Sequence, residues 1–144
     1  MMGYLDEYSE QEAHVEKRAR NIKRALLVSL VILLVAGALY YTFKNYREEK
    51  RVEAFLATVQ RGDYPGAYGF WGCRVDVPCP NYRYKDFLDD WGPQSEVGKL
   101  QSYRLGSSHE RGSGVVVVAV LNDRLEKKLW VEKSNAVVGF APPF

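Results

Sequence analysis

Two cysteines, Cys73 and Cys79, are the residues in this 144-residue sequence best able to form a covalent cross-link. Five residues separate them, and such a loop in a domain outside the cytoplasm predicts a structural disulfide. Closing it removes roughly 2 kcal/mol of unfolded-state freedom. Two free buried thiols and a redox pair are the alternatives the spacing leaves, although redox pairs usually follow C-x-x-C. The two histidines, His14 and His109, flank an apolar segment and so cannot act together. His109 lies in a polar stretch and reads as solvated rather than as a general base. Asp86, Asp89 and Asp90 form a carboxylate cluster. Helical spacing puts 86 and 90 on one face while 87, 88 and 91 supply an apolar one, so the cluster reads as a solvated face before it reads as an acid/base pair. Tyr82, Tyr84 and Tyr103 can line a pocket, but such rings more often serve as core or rim. Gly112-Ser113-Gly114 precedes a strand and lacks the strand–turn–helix setting of a phosphate loop. Two Cys and two His are too few for most structural zinc sites. The sequence therefore predicts no catalytic residue, metal ligand or cofactor. A net charge of +2 gives no basic field of the kind that recognises nucleic acid.

The strongest signal is physical. Ala25 to Phe43 passes nineteen residues without a charge. As a helix this run would extend about 28 Å, close to the ~30 Å hydrocarbon core of a bilayer. Ala25, Leu26, Leu30, Leu33 and Gly37 lie within it, and Tyr40 and Tyr41 begin an aromatic belt at its C-terminal end. A domain this small could not surround an apolar helix on every side. Ala36-Gly37-Ala38 resembles a signal-peptidase site, but the preceding leader is long and acidic and the apolar run continues beyond it, so an uncleaved signal anchor is expected. Lys17, Arg18, Arg20, Lys23 and Arg24 precede the span, whereas Lys44, Arg47, Lys50 and Arg51 follow it. Five against four points to a cytoplasmic N-terminus. Residues 1–24 are then a cytoplasmic leader, acidic first and basic next to the membrane. Ser9 and Glu12 suggest a capping box opening its helix. Met2-Gly3 is not a myristoylation site, because Glu7 stands where Ser or Thr is required.

Residues 44–51 read as a helical stem and 52–144 as a small α+β domain outside the cytoplasm. Val52, Phe55, Leu56 and Val59 recur at helical spacing, and Gly62 suits a left-handed cap. Pro65 suits the first turn of a second short helix. Tyr84 to Trp91 reads as a third, with Tyr84, Phe87, Leu88 and Trp91 on one side. Leu100–Ser107, Val115–Leu121, Leu125–Lys133 and Ala136–Phe140 read as strands, with a turn over His109–Gly114. The all-apolar run VVVVAVL predicts a strand covered on both faces or nearly so. Short connections favour an antiparallel meander. The expected fold is α+β: one transmembrane helix, then about three helices on a curved antiparallel sheet of three to four strands.

This element order, with the phrase from Val52-Glu53-Ala54-Phe55-Leu56 through Gly62-Asp63-Tyr64-Pro65-Gly66-Ala67-Tyr68, resembles the nuclear-transport-factor-two-like, cystatin-like α+β cone superfamily over about residues 48–140. The resemblance implies a curved sheet around helices with a pocket at the cone's mouth. It implies a role among isomerases, dehydratases, ligand binders or accessory and dimerisation modules, including homodimers through the sheet. Enzymes of that superfamily place an Asp base or a Tyr–His set in the cone. No residue here matches those positions, and the chain is one strand short of the larger members.

The function expected from these readings is a non-catalytic accessory or assembly subunit of a larger bacterial inner-membrane complex, with a periplasmic C-terminal domain. Its expected partners are the lipid bilayer and other integral membrane proteins, reached in part through Ala36, Gly37 and Ala38. A small-ligand module using a cone pocket is the alternative, and a small enzyme ranks last. The tail Pro142-Pro143-Phe144 can dock on a partner or cap the sheet edge.

Overall fold

The structure, a computed structural model, describes residues 3–142. The chain divides into two compact units, with the second beginning at Lys44. The first is a single helix, α1 (Gly3–Phe43), of 41 residues. Its first turns run through Ser9 without a break, so Ser9 and Glu12 do not open it as a capping box would. From Tyr8 to Phe43 every side chain is exposed. Within α1 lies the one stretch, among the described residues, long and apolar enough to cross a membrane.

The second unit starts with a turn at Lys44 and Asn45, which interrupts the helix expected to continue from 44, and then α2 (Tyr46–Gln60). Glu48 and Glu49 stand in its first turn, where the unpaired backbone N–H groups favour negative charge. Its buried face carries Val52, Phe55, Leu56 and Val59, the periodic stripe of the sequence. Gly62 ends it with φ +76°, a left-handed conformation that suits glycine. Asp63 then caps α3 (Tyr64–Gly69) by accepting from the Gly66 N–H at 3.0 Å. The third short helix, α4 (Tyr84–Trp91), buries Phe87 and Trp91. Residues 46–51, read as a stem, are thus the opening turns of α2, and Glu48 is buried there.

Four strands follow: β1 (Tyr103–Arg111), β2 (Gly114–Leu121), β3 (Leu125–Glu132) and β4 (Val138–Phe140). They form an antiparallel sheet in sequence order. The architecture is the α+β fold expected, with an open four-stranded sheet. The bounds of two strands differ from the sequence reading. β1 begins at Tyr103 rather than Leu100 and extends to Arg111, so His109 is in a strand and only Gly112 and Ser113 turn. Polarity hid this because most of β1's side chains are exposed at the sheet edge. β4 begins at Val138, since Ala136 adopts φ +57° and belongs to the turn.

β2 is covered on both faces or nearly so, as its composition predicts. Val115, Val117, Ala119 and Leu121 join the core with residues of α2, α3 and α4, while Val116, Val118 and Val120 alternate onto the other face. There Val118 and Val120 are half-buried, and Val116 is 2% exposed beside its cross-strand neighbour Trp130. The indole lies over Gly114: a Cβ there would fall 1.4 Å from Trp130 Nε1.

Asn122 closes the far end of the sheet. It takes φ +52° in the β2–β3 turn, and its side-chain oxygen accepts from Gln101 N–H (2.8 Å) and Ser102 N–H (3.2 Å). Its amide donates to the carbonyls of Val97 (3.2 Å) and Lys99 (3.1 Å). One side chain thereby fixes the loop that leads into β1.

Gly114→Ala should displace the Trp130 ring and destabilise the unit by about 1–3 kcal/mol, the usual cost of overpacking. Urea unfolding of the detergent-solubilised chain, followed by tryptophan emission, measures it. An unchanged midpoint would show that the ring is free to move aside.

Candidate functional site

A concave feature lined by aromatic rings marks the described surface of the second unit. Trp71, just after α3, Tyr82, just before α4, and Phe140, at the end of β4, converge on a cleft of about 380 Å³. Trp71 lies 4.7 Å from Phe140 and 4.9 Å from Tyr82 between ring centroids, and Tyr82 lies 6.1 Å from Phe140. Pro80, Asn81 and the two cysteines complete the wall. Cys73 and Cys79 are joined as a disulfide with Cα atoms 5.3 Å apart, the pairing expected from the sequence. The loop it closes carries Val75 and Val77, exposed by 50% and 65%, and an Arg74–Asp76 ion pair.

Each wall residue is fixed by the fold. Phe140 hangs from β4, whose Leu129 partner across the ladder is buried. Trp71 follows Phe70, whose carbonyl accepts from Val138 N–H at 2.8 Å and so ties the end of α3 to the start of β4. Tyr82 donates its hydroxyl to Asp90 Oδ2 at 2.8 Å. Burial, and then this bond to a carboxylate, push its phenol well above the ordinary tyrosine range. The group is therefore a neutral donor at physiological pH and not a base. Tyr68, buried in the core, donates to the Tyr82 carbonyl and accepts from Cys79 N–H, so it pins both ends of the segment that carries the wall.

The carboxylates weighed for chemistry take structural roles. Asp86 accepts from Arg83 N–H at 2.9 Å at the start of α4, and Asp90 holds Tyr82, while Asp89 is exposed. His109 is exposed on β1, Tyr103 packs against the core, and Tyr84 lies 5.4 Å from Tyr68 between ring centroids. Of the tyrosines considered from sequence, only Tyr82 lines the cleft. Trp71 and Phe140 were not singled out by sequence reasoning. The signal that could have found them is weak: Trp71 follows a short helix beside the cysteine loop, and Phe140 closes the last strand. Pro142 is described, whereas Pro143 and Phe144 lie outside the described residues.

A second polar cluster surrounds the point where the chain enters this unit. Asn45 is 3% exposed, and its amide donates to Ser108 Oγ at 3.2 Å while Ser108 donates to Glu49. Glu48 is buried, and Arg47 meets its Oε1 through Nε (3.1 Å) and Nη2 (2.9 Å). Arg47 also donates to the Lys133 carbonyl, and Arg51 donates to the Ala136 carbonyl at 3.0 Å while lying over the Phe70 ring. Two of the basic residues counted as flanking the apolar span thus clamp the β3–β4 turn to α2.

The membrane-anchor residues named from sequence all lie on α1. Leu26, Leu30, Leu33, Tyr40 and Tyr41 are exposed by 65%, 53%, 69%, 74% and 75%, and Ala25 and Gly37 are exposed as well. Among the described residues no group of three or more His, Cys, Asp or Glu side chains is placed to hold a metal ion. Comparisons with family models, curated proteins and solved structures gave no match.

Two measurements follow from the cleft. Cys73→Ser with Cys79→Ser should destabilise the unit by about 2 kcal/mol in the oxidised chain, the loop-closure value, and dithiothreitol should reproduce the loss. Equal stability of the variant and the parent would mean the loop is held by contacts instead. For Tyr82 the folded phenol titrates above the unfolded one, so its contribution is intact below about pH 10 and fades as pH rises beyond. Tyr82→Phe should flatten that alkaline decline in a pH series of unfolding midpoints and cost about 1 kcal/mol at neutral pH.

Proposed function

We propose that this chain is a non-catalytic, membrane-anchored accessory or assembly subunit of a larger bacterial inner-membrane complex. In this reading α1 spans the membrane once through Ala25–Phe43, with its N-terminus in the cytoplasm and the second unit in the periplasm. The observation that carries the reading is where exposed apolar surface gathers in the second unit. Its large exposed hydrophobics are Tyr46, Val75, Val77 and Phe140, and the last three sit on the cleft or on the loop bordering it. Apolar side chains collected at one place mark a contact surface for another protein. The disulfide suits an oxidising compartment outside the cytoplasm. The link between the units supports a partner at the same membrane, because the three residue steps from Phe43 to Tyr46 extend at most about 11 Å.

The superfamily resemblance would put a ligand pocket between helices and sheet. That space is filled here by Phe55, Leu56, Phe87 and Trp91, all at 0% exposure. A ligand-binding reading must therefore use the edge cleft. One feature favours it: three aromatic rings, Trp71, Tyr82 and Phe140, converge on that cleft. The cleft volume also falls within the range of small-molecule sites.

The two readings separate in a tagged purification from native membranes in mild detergent. Under the accessory reading the chain resists carbonate extraction and migrates on a native gel in a defined large assembly with stoichiometric partners. Val77→Asp with Phe140→Asp should then release it from the assembly by at least tenfold. Migration as a lone monomer or a homodimer would defeat the reading and leave the cleft as a ligand site.

A further inference from the structure

The part of α1 that precedes its apolar span carries a second pattern. Positions 5, 8, 12, 15, 19, 22 and 26 alternate spacings of three and four, the a/d seam of a heptad repeat. They hold Leu, Tyr, Glu, Val, Ala, Ile and Leu, so Glu12 is the one polar residue on the seam. α1 is continuous through these turns and into the apolar span, which keeps the seam on one face. Tyr8, Val15 and Ile22 are exposed by 63%, 66% and 59%, so most of their surface is open to a partner. The opposite face carries Glu10, Ala13 and Lys17.

Charge selects the occupant. Two copies of this chain in one membrane share an orientation, so their seams would pair in register. Glu12 would then face Glu12 inside the seam. Arg18, at g, would face Lys23, at the e position five residues on. Both contacts are repulsive, and a carboxylate without a counter-charge on a buried seam is strongly disfavoured. A different helix relieves both by placing Lys or Arg level with Glu12 and Asp or Glu beside Arg18 and Lys23.

We propose that the Tyr8–Ile22 face of α1 is a docking surface for the helix of another membrane-spanning protein. That helix carries apolar seam residues, a basic residue at the level of Glu12 and acidic residues next to the membrane. The proposal rests on the accessory-subunit reading and names the chemistry of one partner.

The test uses the full chain in the membranes of its native host, with the photoreactive residue p-benzoylphenylalanine placed in turn at positions 8, 15 and 22 and at 10, 13 and 17. The expected result is cross-linking to one other membrane protein at least tenfold stronger from the first set than from the second. The adduct should map to a helix with a basic residue level with Glu12. Glu12→Lys should cut the yield at least tenfold, and exchanging the partner's basic residue for Glu should restore it. Equal yields from both faces, adducts only with lipid or with a second copy of this chain, or indifference to Glu12→Lys would each overturn the proposal. A native gel of the same membranes separates the two failures. A large assembly without the face-specific adduct defeats this proposal alone, and a chain migrating by itself defeats the accessory reading as well.

Discussion

Phe55 is the side chain on which the second unit converges. Its ring meets Phe70 at 5.9 Å, Trp71 at 6.1 Å, Phe87 at 6.3 Å and Trp91 at 4.9 Å, all edge to face. These four rings come from the end of α3, the segment beyond it and α4, so one residue of α2 orders all three. The geometry follows from size: a chain this short fills the gap between one long helix and one sheet most economically with large rings. Filling that gap has a consequence for function. The enclosed space where a cone-shaped fold would hold a ligand is occupied by protein. A concavity lies at the edge instead, where Trp71 meets Phe140 and Tyr82.

The polar groups around Asn45 answer a different constraint. A helix beginning beside a sheet edge must satisfy its own first N–H groups and any charge it buries. Glu48 is buried, and Arg47 neutralises it while reaching the Lys133 carbonyl. Arg51 repeats the reach one turn later to Ala136. Arg47 and Arg51, after the apolar span, therefore serve packing. The number of basic residues there is a diluted guide to orientation, because Arg47 and Arg51 have a reason to be basic that no membrane supplies.

What the sequence made legible was local and periodic. The stripe Val52–Phe55–Leu56–Val59, the bounds of α4, the left-handed Gly62 and the disulfide all follow from spacing within a few residues. The features it hid depend on partners far along the chain. Asn122 falls in a short connection between two expected strands, and only the fold shows its amide gripping a loop more than twenty residues earlier. Gly114 looked like part of a flexible turn, whereas it is small because Trp130 lies on it. β1 looked too polar to reach Arg111, since an edge strand need not alternate when most of its side chains meet water. The cleft was hidden for the same reason, because its three rings are separated by eleven and fifty-eight residues.

The disulfide links these points to the surface. Arg74 to Pro78 contribute nothing to the buried core, so packing alone gives the loop little order. The cross-link, the Arg74–Asp76 pair and the Tyr68 hydroxyl on Cys79 supply that order from outside the core. A fold seeking only stability would shorten such a loop or make it polar, because exposed valines favour aggregation. Here the loop is held in place by means other than burial and keeps Val75 and Val77 exposed beside an aromatic cleft. That combination makes sense when the valines are to be covered by another molecule. In the accessory role proposed above, the loop would be ordered before binding, and a partner would meet it without the entropy of fixing a mobile segment.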